Sequence, residues 1–303
     1  MASPREMLQR IRSVRNIAQV TRALEAVSAS RVRKAEARAK QTRPYTKKSW
    51  QVLRHLSRQP GRNFVHPLLT KHNEIRNAIV ILISGDRGLA GAYNTNVIRY
   101  ALEAFQQSGI SVGYIAVGRK GREILLRRRK KLLAEFSDLP EEPSFVDVSA
   151  IGRLAIDEFL AHRADQIWLI YTHFISMLHQ KPTSQLLLPF EFEETSIAQA
   201  AARAQTVDNN QNNEREPTYL YEPAEATIVD RIIPRLVELQ VFQAITESLA
   251  SEHAARMIAM RNATENANEL AEALNLEYNK ARQKAITSDM LDIAGGAEAL
   301  ASS

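Results

Sequence analysis

Between Pro234 and Gly295 the chain runs for 60 residues without a glycine or a proline. Nothing in such a segment breaks a helix, and at 1.5 Å per residue it would be about 90 Å long. A domain made from the rest of the chain is too narrow to cover that length, so the helix needs a long partner. The other end supplies one: no glycine precedes Gly61, and no proline lies between Pro4 and Pro44. Most of the 11 glycines and 11 prolines fall between Pro60 and Pro223. The expected organisation is a long N-terminal helix within residues 1–60, an α/β globular domain over 61–223, and a long C-terminal helix within 224–303. The two helices, near 5–57 and 225–292, are expected to pair as one antiparallel coiled coil.

Side-chain spacing supports the pairing. Met257, Met260, Thr264, Ala267, Ala271, Leu274, Tyr278, Ala281 and Ala285 recur at intervals of three and four, which places one narrow seam along a helix. Ile17, Val20, Leu24 and Val27 repeat that spacing near the N-terminus and are the expected facing seam. Charge agrees in sign. Residues 1–60 carry 15 Lys and Arg against 3 acids, a net of +12; residues 224–294 carry 7 against 11, a net of −4. Opposite signs orient two helices more than they hold them, because surface pairs contribute little each. The surplus on the first helix calls for an acidic partner or open solvent.

The middle alternates strand and helix signals. Strands are expected at Asn77–Ser84, Ser111–Val117, Phe145–Val148, Gln166–Phe174 and Gln185–Leu188, with another short one at Thr218–Glu222. Helices are expected near Thr95–Gln107, Arg119–Leu133 and Ile151–Arg163. Apolar strands alternating with helices point to a small parallel sheet covered on both faces, a Rossmann-like domain inserted between the long helices. Residues 203–217 read as a polar linker.

Chemistry is sought and mostly not found. Cysteine is absent, which removes disulfides, thiolate nucleophiles and zinc–thiolate sites together. The longest stretches without an acidic or basic residue are 15 residues, Ala104–Gly118 and Gln166–Gln180, short of the ~20 a membrane-spanning helix needs. The Arg-rich N-terminus has no apolar signal core and runs straight into the first helix, so no cleaved leader is expected. Gly85, Gly88 and Gly91 follow the first strand but are spaced G-x-x-G-x-x-G, not as the dinucleotide fingerprint; a tight strand-to-helix turn is the better reading. Gly113–Lys120 fails as a P-loop, because its spacer is an apolar strand and no Ser or Thr follows the lysine. No histidine pair has metal-ligand spacing. Arg127-Arg128-Arg129-Lys130-Lys131 invites a nucleic-acid reading but lacks interleaved aromatics. No catalytic residue, cofactor or metal site is expected, and the chain is not expected to be an enzyme alone.

Several segments, in order, resemble the gamma-subunit family of F-type ATP synthase. They are Ile11–Val14 with Asn16, Thr21–Glu25, Val27 and Ser28–Ala35; Ser84-Gly85-Asp86-Arg87-Gly88-Leu89-Ala90-Gly91; Pro182–Pro189; Tyr219–Pro223; Leu249–Met260; and Tyr278–Thr287. The resemblance implies a rotor shaft: terminal helices coiled inside a ring of three alpha and three beta subunits, and an α/β domain bound to the epsilon subunit and the c-ring. It implies that proton-driven rotation of the c-ring turns the shaft, which drives the beta subunits through different nucleotide affinities. It places beta-subunit contacts at Leu24, Arg256, Arg282, Gln283 and Thr287, and c-ring or epsilon contacts at Tyr219, Tyr221 and Glu222. It also implies a peripheral location on the cytoplasmic face of the bacterial plasma membrane, without bilayer insertion. Chloroplast-type members carry a regulatory cysteine pair that this chain lacks, so thiol control is not expected. Lys284 and Asp289 differ from the commonest family choices. The alternatives from other classes are a basic coiled-coil nucleic-acid-binding protein and a dinucleotide-dependent enzyme.

Overall fold

The computed structural model describes residues 4–57, 66–72, 74–106, 109–190 and 225–301. Its elements in chain order are α1 (Pro4–Ser57), a 3-10 turn (Pro67–Leu69), β1 (Asn77–Ile83), α2 (Tyr93–Ala104), β2 (Ser111–Val117), α3 (Arg119–Arg127), β3 (Lys131–Phe136), α4 (Phe145–Leu160), β4 (Gln166–Phe174), β5 (Gln180–Leu188) and α5 (Glu225–Ala301). They form two compact units, one of Met1–Ala29 with Arg256–Ser303, the other of Ser30–Ala255.

The larger unit is built on a five-stranded sheet in the order β3-β2-β1-β4-β5. β1 is parallel to both β2 and β4, and β2 to β3. β5 turns back antiparallel to β4, so the sheet is mixed rather than purely parallel. Central β1 is buried from Ala78 to Ile83, as a strand covered on both faces must be. Alternation along it sends Ile79, Ile81 and Ile83 into one core with Ile151, Ala155 and Phe159 of α4 and Ile233, Val237, Val241 and Ile245 of α5. Val80 and Leu82 enter a second core with Val97, Ile98 and Ala101 of α2 and Leu125 of α3. The first part of α5 is therefore a layer of the sheet domain. Up to Ala255 it spends its apolar residues on a broad face rather than on a narrow seam.

Two expectations are overturned here. Lys131–Phe136 is strand β3, and α3 stops at Arg127 instead of running to Leu133. Its alternating pattern of exposed and half-buried positions is that of an edge strand with one face to solvent, which a helical reading of the leucines missed. Phe145–Val148 is not a strand but the first turn of α4. Ser144 Oγ accepts from the Asp147 N–H, while the Asp147 carboxylate accepts from the Ser144 N–H at 2.8 Å, a capping box that fixes the helix start. β5 also begins at Gln180, earlier than the expected Gln185. The expected linker at 203–217 and strand at 218–222 lie outside the described residues.

The start of β1 is tied to the start of β4 through Asp165. Its carboxylate accepts from the N–H groups of Arg76 and Asn77, both at 2.8 Å, and meets His72 Nδ1 at 2.8 Å. The His72 ring stacks on Phe159. Burial pushes the Asp165 carboxyl up, but the hydrogen bonds from His72, Asn77 and Arg76 outweigh it and hold it below the ordinary value. The folded state thus takes up this proton less readily than the unfolded chain does. The stabilisation is complete above about pH 4 and is lost as pH falls through the depressed value. Asp165→Asn is expected to lower stability by about 2 kcal/mol at neutral pH and to flatten the acid limb of the stability profile. Equal acid limbs for the two proteins in chemical denaturation would remove Asp165 from this role.

Candidate functional site

In the smaller unit two long helices face each other. Thr21 Oγ1 and Thr264 Oγ1 lie 2.7 Å apart and both residues are buried. Thr21 is eight residues before the point where α1 leaves this unit, and Thr264 eight after the point where α5 enters it, so the helices run antiparallel. On α5 the expected seam is borne out: Met260, Thr264, Ala267 and Ala271 are buried, and Met257, Leu274, Tyr278, Ala281 and Ala285 are half-buried.

On α1 the expected seam is wrong. Ile17, Val20 and Val27 are 52%, 59% and 46% exposed, and Leu24 is only half-buried. The buried row is instead Ile11, Ala18, Thr21 and Ser28. Small and hydroxyl side chains win this position because they let two helix backbones approach closely. Their polar atoms are met locally: Thr21 Oγ1 lies 3.1 Å from the Ile17 carbonyl, and the Ser28 hydroxyl donates to the Leu24 carbonyl at 2.7 Å. The larger apolar residues are thereby left as an outward stripe. Sequence reading mistook that stripe for the seam because both share one spacing, a rotation apart.

The five shaft positions all lie in this unit but do not form one site. Leu24 and Arg256 are half-buried; Arg282, Gln283 and Thr287 are exposed. Arg256 and Arg282 are 26 residues apart on α5, about 39 Å along a straight helix. Carrying on the Thr21–Thr264 register sets Pro4 level with Ala281. Arg282, Gln283 and Thr287 therefore stand on α5 beyond the first described turn of α1. There the Thr287 hydroxyl donates to the Gln283 carbonyl at 2.9 Å, and Ile286, Met290, Leu291 and Ile293 are exposed. Tyr219, Tyr221 and Glu222 lie outside the described residues.

The turn after β1 joins strands to helices. Ser84 Oγ accepts from the Gly121 N–H at 2.9 Å and donates to the Val117 carbonyl at 3.1 Å. Gly85 N–H donates to Asn94 Oδ1 at 2.8 Å, and a Cβ on Gly85 would stand 2.8 Å from the buried Glu252 carboxyl carbon of α5. Asp86 accepts from the N–H groups of Arg119 at 2.9 Å and Asp138 at 3.2 Å. Tyr93 Oη is 2.7 Å from Ser248 Oγ, another link between α2 and α5. In a dinucleotide-binding domain a phosphate would use such helix N-termini. Here the Asp86 carboxylate already occupies the start of α3, and the Glu252 carboxyl stands against Gly85, so side chains fill the place that a phosphate would need. Sequence spacing alone gave no sign of Glu252, which arrives from 167 residues away.

Part of the basic surplus of α1 also finds its partner within the chain. Arg31 pairs with Glu141 at 2.5 Å, Lys34 with Glu142 at 3.3 Å, and Arg38 with Glu142, all on the loop between β3 and α4. Among the described residues no group of three or more histidines and acids could hold a metal ion, and no helix is long and apolar enough to cross a membrane.

Comparison with known proteins accounts for nearly the whole chain. The family model described as ATP synthase matches residues 3–300. The ATP synthase gamma chain of Dehalococcoides mccartyi (strain CBDB1) is 40% identical over 302 residues, covering 99% of this chain and 100% of the relative. That of Herpetosiphon aurantiacus is 41% identical over 309 residues, covering 99% of each. The fold matches a chain of the Euglena gracilis mitochondrial ATP synthase, OSCP/F1/c-ring in rotational state 3, with a TM-score of 0.65 over 98% of this chain and 94% of that one, at 21% identity. An unbroken pair of long helices, a mixed sheet domain with its anion site closed, and end-to-end similarity lead to one assignment: the chain belongs to the ATP synthase gamma-chain family.

Proposed function

We propose that this chain, a non-catalytic subunit of ATP synthase, is the central rotor shaft that couples proton-driven c-ring rotation to ATP synthesis and hydrolysis at the beta subunits. Its partners on this reading are three alpha and three beta subunits around the long helices, with epsilon and the c-ring at the sheet domain. The complex lies on the cytoplasmic face of the bacterial plasma membrane. The observation that carries the reading is the outward apolar stripe. Ile17, Val20 and Val27 on α1, with Leu270 and Leu276 on α5, are exposed outside the filled seam, and Ile286, Met290, Leu291 and Ile293 are exposed beyond the described residues of α1. A surrounding protein sleeve is what such a surface needs. Leu24, Arg256, Arg282, Gln283 and Thr287 touch the beta subunits, at two heights. The family resemblance carries the nucleic-acid alternative no further.

Tyr219, Tyr221 and Glu222 contact the c-ring or epsilon on this reading. They stand shortly before α5, whose first turns meet the strand starts: Asp230 lies 3.7 Å from His66, beside the 3-10 turn that accepts the Phe190 N–H. A photocrosslinker at Tyr219 in the assembled complex is expected to capture a c subunit or epsilon. Capture of an alpha subunit would invert the shaft and overturn the assignment.

A further inference from the structure

Arg127 to Lys131 are five consecutive cations. All five are exposed. They occupy the turn between α3 and β3, and among the described residues none of them forms an ion pair. Glu123 pairs with Lys120 at 3.0 Å and Glu158 with Arg163 at 2.8 Å, and Arg127 and Lys131 act on these two carboxylates only at longer range. Leu126 and Leu133, one on each side of the run, are 50% and 40% exposed.

The turn's geometry carries a cost. Arg129 N–H donates to the Leu126 carbonyl and Lys130 N–H to the Leu125 carbonyl, both at 3.0 Å, which closes α3 as a Schellman motif. The residue that must be left-handed in this motif is Arg129, at φ 53°, where glycine is the unstrained choice. Ordinary roles explain only part of the run. A cation in the last helical turn complements the helix dipole, and a lysine at an edge strand discourages strand pairing. These account for Arg127 and Lys131. They leave Arg128, Arg129 and Lys130 unexplained, and none of them explains a strained arginine.

We propose that the α3–β3 turn, with Arg127–Lys131 between Leu126 and Leu133, contacts the anionic lipid headgroups of the bilayer that carries the complex. Membrane association of the complex follows from the family; the orientation rests on the rotor reading above. Within the sheet domain, α3 runs back from the strand ends at Gly118 to the strand starts, so the turn lies at the same end as Asp230 and Asp165. That is the end assigned to the foot. Flexible point charges flanked by two leucines fit the boundary between headgroups and acyl chains. A nucleic-acid backbone has no use for the leucines, and Arg119–Leu133 contains no aromatic residue on which a base could stack. Fluid headgroups also exchange beneath a turning foot, so the contact opposes rotation less than a fixed protein partner would.

The test uses the full chain with vesicles of phosphatidylcholine, with and without phosphatidylglycerol. Wild type is expected to sediment with the anionic vesicles and to be released by salt. Arg128→Ser with Arg129→Gly and Lys130→Ser should weaken this on the order of a hundredfold, about fivefold per cation removed. A charge-matched control, Arg10→Ser with Arg12→Ser and Arg15→Ser, should bind nearly as wild type. Equal losses in the two variants would reduce the effect to bulk charge and overturn the proposal, as would unchanged binding by the turn variant. Arg129→Gly alone should bind about fivefold more weakly while melting no lower than wild type, an outcome that misfolding cannot imitate. In the detergent-solubilised complex the turn variant should hydrolyse ATP normally. Loss there, or loss of a subunit, would identify an acidic protein partner instead and overturn the lipid assignment. That outcome is separate from failure of the rotor reading, which the Tyr219 crosslink decides.

Discussion

Replacing Arg282 and Gln283 together by alanine is expected to leave ATP synthase assembled while its rates of ATP synthesis and hydrolysis fall about tenfold or more. Both side chains are exposed on α5, outside the buried seam that the helix pair shares. Together they offer several hydrogen-bond donors, and the arginine fork suits a carboxylate or a carbonyl pair on a passing loop. Two such bonds lost at one rotary position, at about 1 kcal/mol each, are enough for a tenfold change. Subunit composition and turnover of the purified complex are the measurements. Normal turnover in an intact complex takes these residues out of the torque path; failed assembly assigns them to the coil.

The largest loss of stability is expected from Gly118→Ala. Gly118 joins β2 to α3 at φ 95°, a conformation that L side chains rarely adopt, and an added Cβ would stand 2.2 Å from the Ser84 carbonyl oxygen. That oxygen belongs to backbone at the end of β1, so it cannot swing aside. Strain and overlap together should cost about 3 kcal/mol or more. Gly88→Ala is the control: nothing lies within 4 Å of its added Cβ, and its φ is not positive. Chemical denaturation should separate the two variants widely. A stable Gly118→Ala protein would show that the turn tolerates a rearrangement the fold does not suggest.

Legibility in the sequence followed the range of the forces involved. β2 and β4 could be bounded from sequence because continuous apolar runs between polar turns are local signals. β3 could not, because an edge strand half open to solvent has the same leucine count as an amphipathic helix. The α4 start was missed for a related reason: Phe145, Val146 and Val148 are residue types that favour strands, and only the Ser144–Asp147 pair marks a helix start. Among the site residues, Arg282, Gln283 and Thr287 were recognisable as a motif, yet nothing local says that they stand exposed, beyond the first described turn of α1.

Local signals in the chain were enough to require two long unbroken helices, to require that they pair, and to mark the face of α5 that does so. Glycine and proline act within a turn of their own position, and a seam of small residues needs no knowledge of the partner. The face that α1 buries was decided only in the tertiary structure. Two apolar rows with one spacing compete there, and the row that permits closer backbone approach, through Ala18, Thr21 and Ser28, wins over the larger Ile17, Val20 and Val27. The closing of the anion site by Glu252 belongs to the same class. A carboxylate 167 residues from Gly85 reaches it only once α5 lies across the sheet, because close contact between distant residues is a property of packing and not of the chain.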